Sequence, residues 1–113
     1  MIIHVVNGPN LNMLGKRDPE IYGSFSYDQI IDRIKKWAET KDVILDFFQS
    51  NHEGEIIDYI QNLSETDGIV INPGAFAHYS YAIHDALETF KGPKVEVHIS
   101  NIFKREEFRS KSV

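Results

Sequence analysis

A chain of 113 residues, 42% hydrophobic and 26% charged, has the composition of a single globular domain, and a chain of this size buries about two-thirds of its unfolded surface. A net charge of −5 argues against a protein that tracks nucleic-acid phosphates, and the apolar runs are far shorter than the ~18 residues of a membrane span. The absence of cysteine excludes disulfides, thiol nucleophiles and thiolate metal sites, and is compatible with the cytoplasm.

Residues 2–7 form a β-branched run stopped by Gly8-Pro9, which reads as a first strand and not as a signal peptide. Residues 7–23, N-G-P-N-L-N-M-L-G-K-R-D-P-E-I-Y-G, then supply hydrogen-bonding groups and turn formers but no sizeable apolar patch. A loop of this length inside a small domain is usually functional or disordered. Ser26 and Gln29 have the spacing of a capping box, predicting a helix whose apolar face carries Ile30, Ile31, Ile34, Trp37 and Ala38.

A second strand is expected over 43–48, then a polar loop from Gln49 to Gly54 and a helix from about Glu55 with Ile56, Ile57, Ile60 and Leu63 on its buried stripe. Residues 68–72 are a continuous apolar run of the kind buried on both faces of a parallel sheet. A third helix is expected over 81–90, a fourth strand over 95–99 and a short charged helix around 104–109. The alternation predicts right-handed βαβ units: an α/β domain with an open parallel sheet and helices on both faces. Ligands of such sheets sit beyond the carboxyl ends of the strands. Here all four strands finish in hydrogen-bonding groups: Asn7 to Asn10, Asn51 to Glu53, Asn72 to Gly74, and His98 to Asn101.

Glu96 and His98, two apart on a strand, share a face, so the carboxylate can hold one imidazole nitrogen and leave the other for proton transfer. An exposed alternating strand gives the same pattern. Tyr22 is a base only if ionised; lowering a phenol by about 3 units from its ordinary value near 10 takes about 4 kcal/mol, which one or two desolvated arginines such as Arg17 can supply. Packing of the ring at the base of the loop is the alternative. His78 precedes the third helix, where it contacts a ligand or shapes the turn, whereas His4, His52 and His84 read as structural. Arg105 and Arg109 fall on one helical face, as surface arginines also do. There is no zinc-protease motif, dinucleotide fingerprint or Walker loop, so no metal or cofactor is expected.

Five strings, N-G-P-N-L-N-M-L-G, R-D-P-E-I-Y-G, Q-S-N-H-E-G, I-N-P-G-A-F-A-H-Y-S and E-V-H-I-S-N followed by R-E-E-F-R, closely resemble those of the type II 3-dehydroquinate dehydratases, in the same order and spacing from residue 2 onward. The resemblance implies a flavodoxin-like fold and the cofactor-free dehydration of 3-dehydroquinate to 3-dehydroshikimate. By position, Tyr22 matches the base that takes the C2 proton, and Arg17 the loop arginine that lowers its pKa. Asn10 matches the holder of a water on the enolate oxygen, His98 the acid for the C1 hydroxyl and Glu96 its orienting partner. Asn72, His78, Ile99, Ser100 and Arg109 match substrate-gripping positions, and Arg105 a second lid arginine. Asp85 matches a residue that reaches a neighbouring subunit, implying trimers assembled to a dodecamer.

The family continues through a fifth strand and a closing helix, so residues 1–113 are expected to form a single domain lacking that last part of the sheet, with the fourth strand as an edge. A catalytically inactive, flavodoxin-like small-molecule-binding subunit is the alternative this raises.

Overall fold

The computed structural model describes residues 1–16 and 25–98. Four strands, β1 (Ile2–Asn7), β2 (Ile44–Gln49), β3 (Gly68–Asn72) and β4 (Lys94–Glu96), alternate with helices α1 (Tyr27–Ala38), α2 (Glu53–Gln61) and α3 (Tyr81–Thr89), and 3-10 turns follow β1 (Leu11–Met13) and β3 (Gly74–His78). All pairings are parallel and the order is β2-β1-β3-β4, so β1 and β3 are central. This is the expected flavodoxin-like arrangement.

The alternation of side chains along the strands sorts the helices onto two faces. Val6, Ile69 and Ile71 pack with Ile56 and Ile60 of α2 and with Ile83, Ala86 and Phe90 around α3, forming the main core. Phe48 belongs to that face and stacks on Tyr59 at 4.3 Å, while its neighbour Phe47 lies on the other, 5.6 Å from the Lys35 ammonium of α1. Val95 and Val97 of the β4 segment are exposed.

The predicted capping box is present: Gln29 N–H donates to Ser26 Oγ at 3.2 Å and Ser26 N–H to Gln29 Oε1 at 2.8 Å. Asp28 in the first turn and Lys35 and Lys36 in the last complement the helix dipole. Trp37, expected on the buried stripe, is instead 60% exposed. Burial in α1 centres on Ile31 and Ala38. At about 100° per residue Trp37 lies roughly 100–120° from both, outside the apolar sector, and Lys41 sits 5.4 Å over its ring.

α2 starts at Glu53, two residues before the expected position, because Glu53 and Glu55 both lie in a first turn where negative charge is favoured. Their carboxylates have local donors as well, Ser80 Oγ for Glu53 and Ser50 Oγ for Glu55. Ser80 also accepts Ile83 N–H at 3.1 Å, so one hydroxyl caps α3 and ties its start to the start of α2. β4 is assigned to Lys94–Glu96, not the expected 95–99, although Val97 N–H still donates to Ile71 O at 2.8 Å. The helix expected around 104–109 lies outside the described residues.

His4 is absorbed by the scaffold, as its sequence context implies. It is buried, its Nδ1 3.0 Å from the Tyr59 hydroxyl and its Nε2 3.1 Å from Asp67 Oδ2, while Asp67 Oδ1 accepts Ile2 N–H at 3.0 Å. The Ile2 amide, and then His4, hold the Asp67 carboxyl below the ordinary carboxylate range. Burial, and then the Asp46 charge, push the Tyr59 phenol up.

The turns after β1 and β3 interlock. Gly8 N–H donates to Asn72 O at 2.8 Å, and a Cβ on Gly8 would lie 2.2 Å from Pro73 O. Reciprocally, Gly74, with φ +61°, would bring a Cβ to 3.1 Å from Pro9 O. Gly8→Ala therefore drives a methyl into backbone, and overpacking of this kind costs about 3 kcal/mol, the upper end for one inserted methyl. In urea or thermal unfolding it is expected to lower stability by that amount, whereas Gly54→Ala, with nothing within 4 Å of its Cβ position, stays within about 1 kcal/mol of the parent. Equal effects would contradict the close approach.

Candidate functional site at the carboxyl ends of the strands

The first strand end sets up Asn10. Asn10 has φ 67° and is the single non-glycine residue with positive φ among the described residues. Asparagine enters this left-handed region more readily than other side-chain-bearing residues. Its carbonyl accepts Met13 N–H at 3.0 Å and so starts the 3-10 turn, but its side chain caps nothing. That amide makes no bond among the described residues, and residue 10 is exposed.

The third strand end supplies Asn72, which is only 6% exposed. Its Oδ1 accepts Gly74 N–H at 3.1 Å, the short Asx-type bond that turns the chain after the strand. Its Nδ2 donors have no partner among the described residues. His78 closes the 3-10 turn that follows, partly buried and engaged with other groups.

The fourth strand end carries the pair foreseen from its spacing. His98 Nε2 lies 2.7 Å from Glu96 Oε2, with the His98 side chain 19% exposed. The carboxylate fixes the ring through Nε2, leaving Nδ1 turned away from Glu96. Glu96 is paired with Ile71 across the sheet; continued by two residues, that register sets His98 level with Pro73, the residue against which Gly8 packs. The strand ends of β1, β3 and β4 thus meet through backbone contact, which brings Asn10, Asn72 and the Glu96–His98 pair to one end of the sheet.

The second strand end contributes two amides that sequence reasoning had credited only with generic polarity. Gln49 Nε2 lies 3.1 Å from Gly8 O, 3.3 Å from Asn51 Oδ1 and 3.4 Å from Asn12 Oδ1. Asn51 Oδ1 accepts Asn10 N–H at 2.9 Å. Tyr27, the first residue of α1, was also missed; its hydroxyl accepts from Asn7 Nδ2 at 3.3 Å.

Asp85 lies on α3. It is exposed on the side of α3 away from the buried Ile83 and Ala86. There His84, Asp85 and Glu88 bring ligand-type atoms within 4.8 Å of one another, and His84 Nε2 pairs with Glu88 Oε1 at 3.1 Å. Sequence spacing had given His84 no partner and no His/Asp/Glu cluster apart from Glu96 and His98; the i,i+4 relation on a helix is the signal that reveals this one. A groove of about 350 Å³ between α3 and β4 is lined by His84, Glu88, Lys94 and Val95 and touches the site only at Glu96. Tyr22, Arg17, Ile99, Ser100, Arg105 and Arg109 lie outside the described residues.

Over residues 1–113 the chain matches the family described as dehydroquinase class II. It is 66% identical over 113 residues to the 3-dehydroquinate dehydratase of Thermotoga neapolitana, an alignment covering 100% of this chain and 77% of that protein. With the 3-dehydroquinate dehydratase of Caldicellulosiruptor saccharolyticus it shares 58% identity, covering 98% and 78% respectively. Among solved structures, the type II dehydroquinase of Butyrivibrio crossotus superposes with a TM-score of 0.95 at 53% identity, covering 100% of this chain and 80% of that one. With the strand order, the asparagine-bearing turn after β1 and the Glu96–His98 pair, these likenesses make one conclusion: the chain belongs to the class II dehydroquinase family.

Proposed function

We propose that this chain dehydrates 3-dehydroquinate to 3-dehydroshikimate by anti elimination through an enolate. The observation that carries the reading is the Glu96–His98 pair, bonded at 2.7 Å beside the strand ends that present Asn10 and Asn72, in a member of this family. Tyr22, as phenolate, takes the C2 proton next to the ketone, and the C–H electron pair moves into the enolate. A water held by the Asn10 side-chain amide donates to the enolate oxygen. His98, protonated and held by Glu96, gives its proton to the C1 hydroxyl, which departs as water as the C1–C2 double bond forms. The tyrosine then releases its proton to solvent and His98 takes one up, which restores both groups with no net proton change and no second substrate.

Asn72 offers its Nδ2 to a substrate hydroxyl; His78, Ile99, Ser100 and Arg109 complete the grip, and Arg17 and Arg105 close over it. Asp85, exposed on α3, fits a role at a neighbouring copy, consistent with trimers assembled to a dodecamer. The cysteine-free composition fits a cytoplasmic enzyme. No helix among the described residues is long and apolar enough to cross a membrane.

The product is a conjugated enone, so ultraviolet absorbance on adding 3-dehydroquinate tests the reading. A steady rise that scales with protein is the expected result. Binding of 3-dehydroquinate without any rise would establish the inactive binding subunit instead.

A further inference from the structure

We propose that Asn51 is a positioning residue for the reaction, acting through Asn10, with Gln49 as its own anchor. The inference rests on the dehydratase reading above and deepens it. If Asn10 holds the water against the enolate oxygen, the direction of its side chain is set by its backbone. That backbone is in the left-handed region at φ 67°, a conformation that side-chain-bearing residues keep only when their surroundings over-determine it. Two bonds do so. The Met13 amide fixes the Asn10 carbonyl at 3.0 Å, a bond internal to the turn, and Asn51 Oδ1 fixes the Asn10 amide at 2.9 Å from a different strand end.

Asn51 is itself held. Gln49 Nε2 has two hydrogens and three acceptors within reach: Gly8 O at 3.1 Å, Asn51 Oδ1 at 3.3 Å and Asn12 Oδ1 at 3.4 Å. The last residue of β2 therefore grips both sides of Pro9-Asn10-Leu11. Neither Gln49 nor Asn51 belongs to the core, so their amides are not explained by packing. What they hold is the stretch of backbone from which the Asn10 side chain projects, a side chain with no bond among the described residues. The assignment distinguishes the two oxygens of this loop: the Asn10 side chain faces the reaction, and the Asn51 side chain faces the Asn10 backbone.

The test pairs Asn51→Leu, which removes the acceptor, with Asn51→Asp, which keeps an oxygen in place; the added charge is at an exposed position and is screened at ordinary salt. Asn51→Leu is expected to lower kcat about tenfold, with KM and the melting midpoint unchanged, because only stabilisation of the developing enolate is lost. Asn51→Asp is expected to return kcat to within about threefold of the parent. Hydrogen exchange at the Asn10 amide is expected to quicken by about tenfold in the Leu variant and not in the Asp variant. An unchanged kcat in Asn51→Leu, a loss that Asp does not restore, or a loss carried by KM and the melting midpoint overturns the role. The exchange measurement needs no turnover. A parent protein inert toward 3-dehydroquinate would remove the dehydratase reading, while unaltered Asn10 exchange in Asn51→Leu would by itself remove the brace.

Discussion

His98→Gln is expected to lower kcat by about 10²–10⁴-fold, the range for losing a general acid, with the melting midpoint nearly unmoved. The side chain is anchored to Glu96 and not to the core, so its removal leaves packing intact. The leaving group explains the size of the effect: hydroxide is a poor one, and the C1 hydroxyl departs at a useful rate only if protonated as it goes. Glutamine keeps a donor near the same place but has no proton to transfer. The pH profile separates this from a binding role, because an acid is lost as pH rises, so the alkaline limb of kcat should disappear with His98. Glu96→Gln should give a smaller loss, about tenfold, since the ring loses the carboxylate that fixes its orientation. A His98→Gln enzyme retaining a tenth of the parent kcat would remove the acid from the mechanism.

Tyr22→Phe is expected to be at least as severe, about 10³-fold or more in kcat with KM little changed. A phenol with an ordinary pKa near 10 is ionised in only about one molecule in a thousand at pH 7. The base therefore needs a nearby positive charge, and Arg17 is five residues upstream. Arg17→Met should carry the acid limb of the profile to higher pH, because the base must lose its proton before it can act and does so less readily without the guanidinium. The two variants check one another. If Phe at 22 is inert while Met at 17 leaves the acid limb in place, tyrosine is the base but arginine is not what ionises it; full activity in Tyr22→Phe places the base elsewhere.

Local chemistry made much of the architecture legible. The capping box at Ser26 is formed by residues within one helical turn, and the Gly68–Asn72 run carries its own burial pattern. The Glu96–His98 pair was equally readable, because a two-residue spacing on a strand fixes a shared face whatever surrounds it. Trp37 was misread because periodicity gives the width of an apolar stripe but not which edge the sheet covers. The Asn51 contact to Asn10 was invisible for a different reason. It joins positions 41 residues apart, and an amide has no periodicity by which to announce its partner. Asn10 was legible only through its place in a family string; its positive φ, which sets where its side chain projects, is a property of the folded backbone.

The mutual approach of Gly8 to Pro73 and of Gly74 to Pro9 bears on how this site could be moved or redesigned. Each turn is the mould for the other, so neither sequence can drift or be transplanted alone. A designer copying the asparagine-bearing turn onto another parallel sheet would have to copy the turn from two strands later in the chain with it. The smallest portable unit is then a pair of adjacent strand ends, and the long segment between them is free to be anything that crosses back to the sheet.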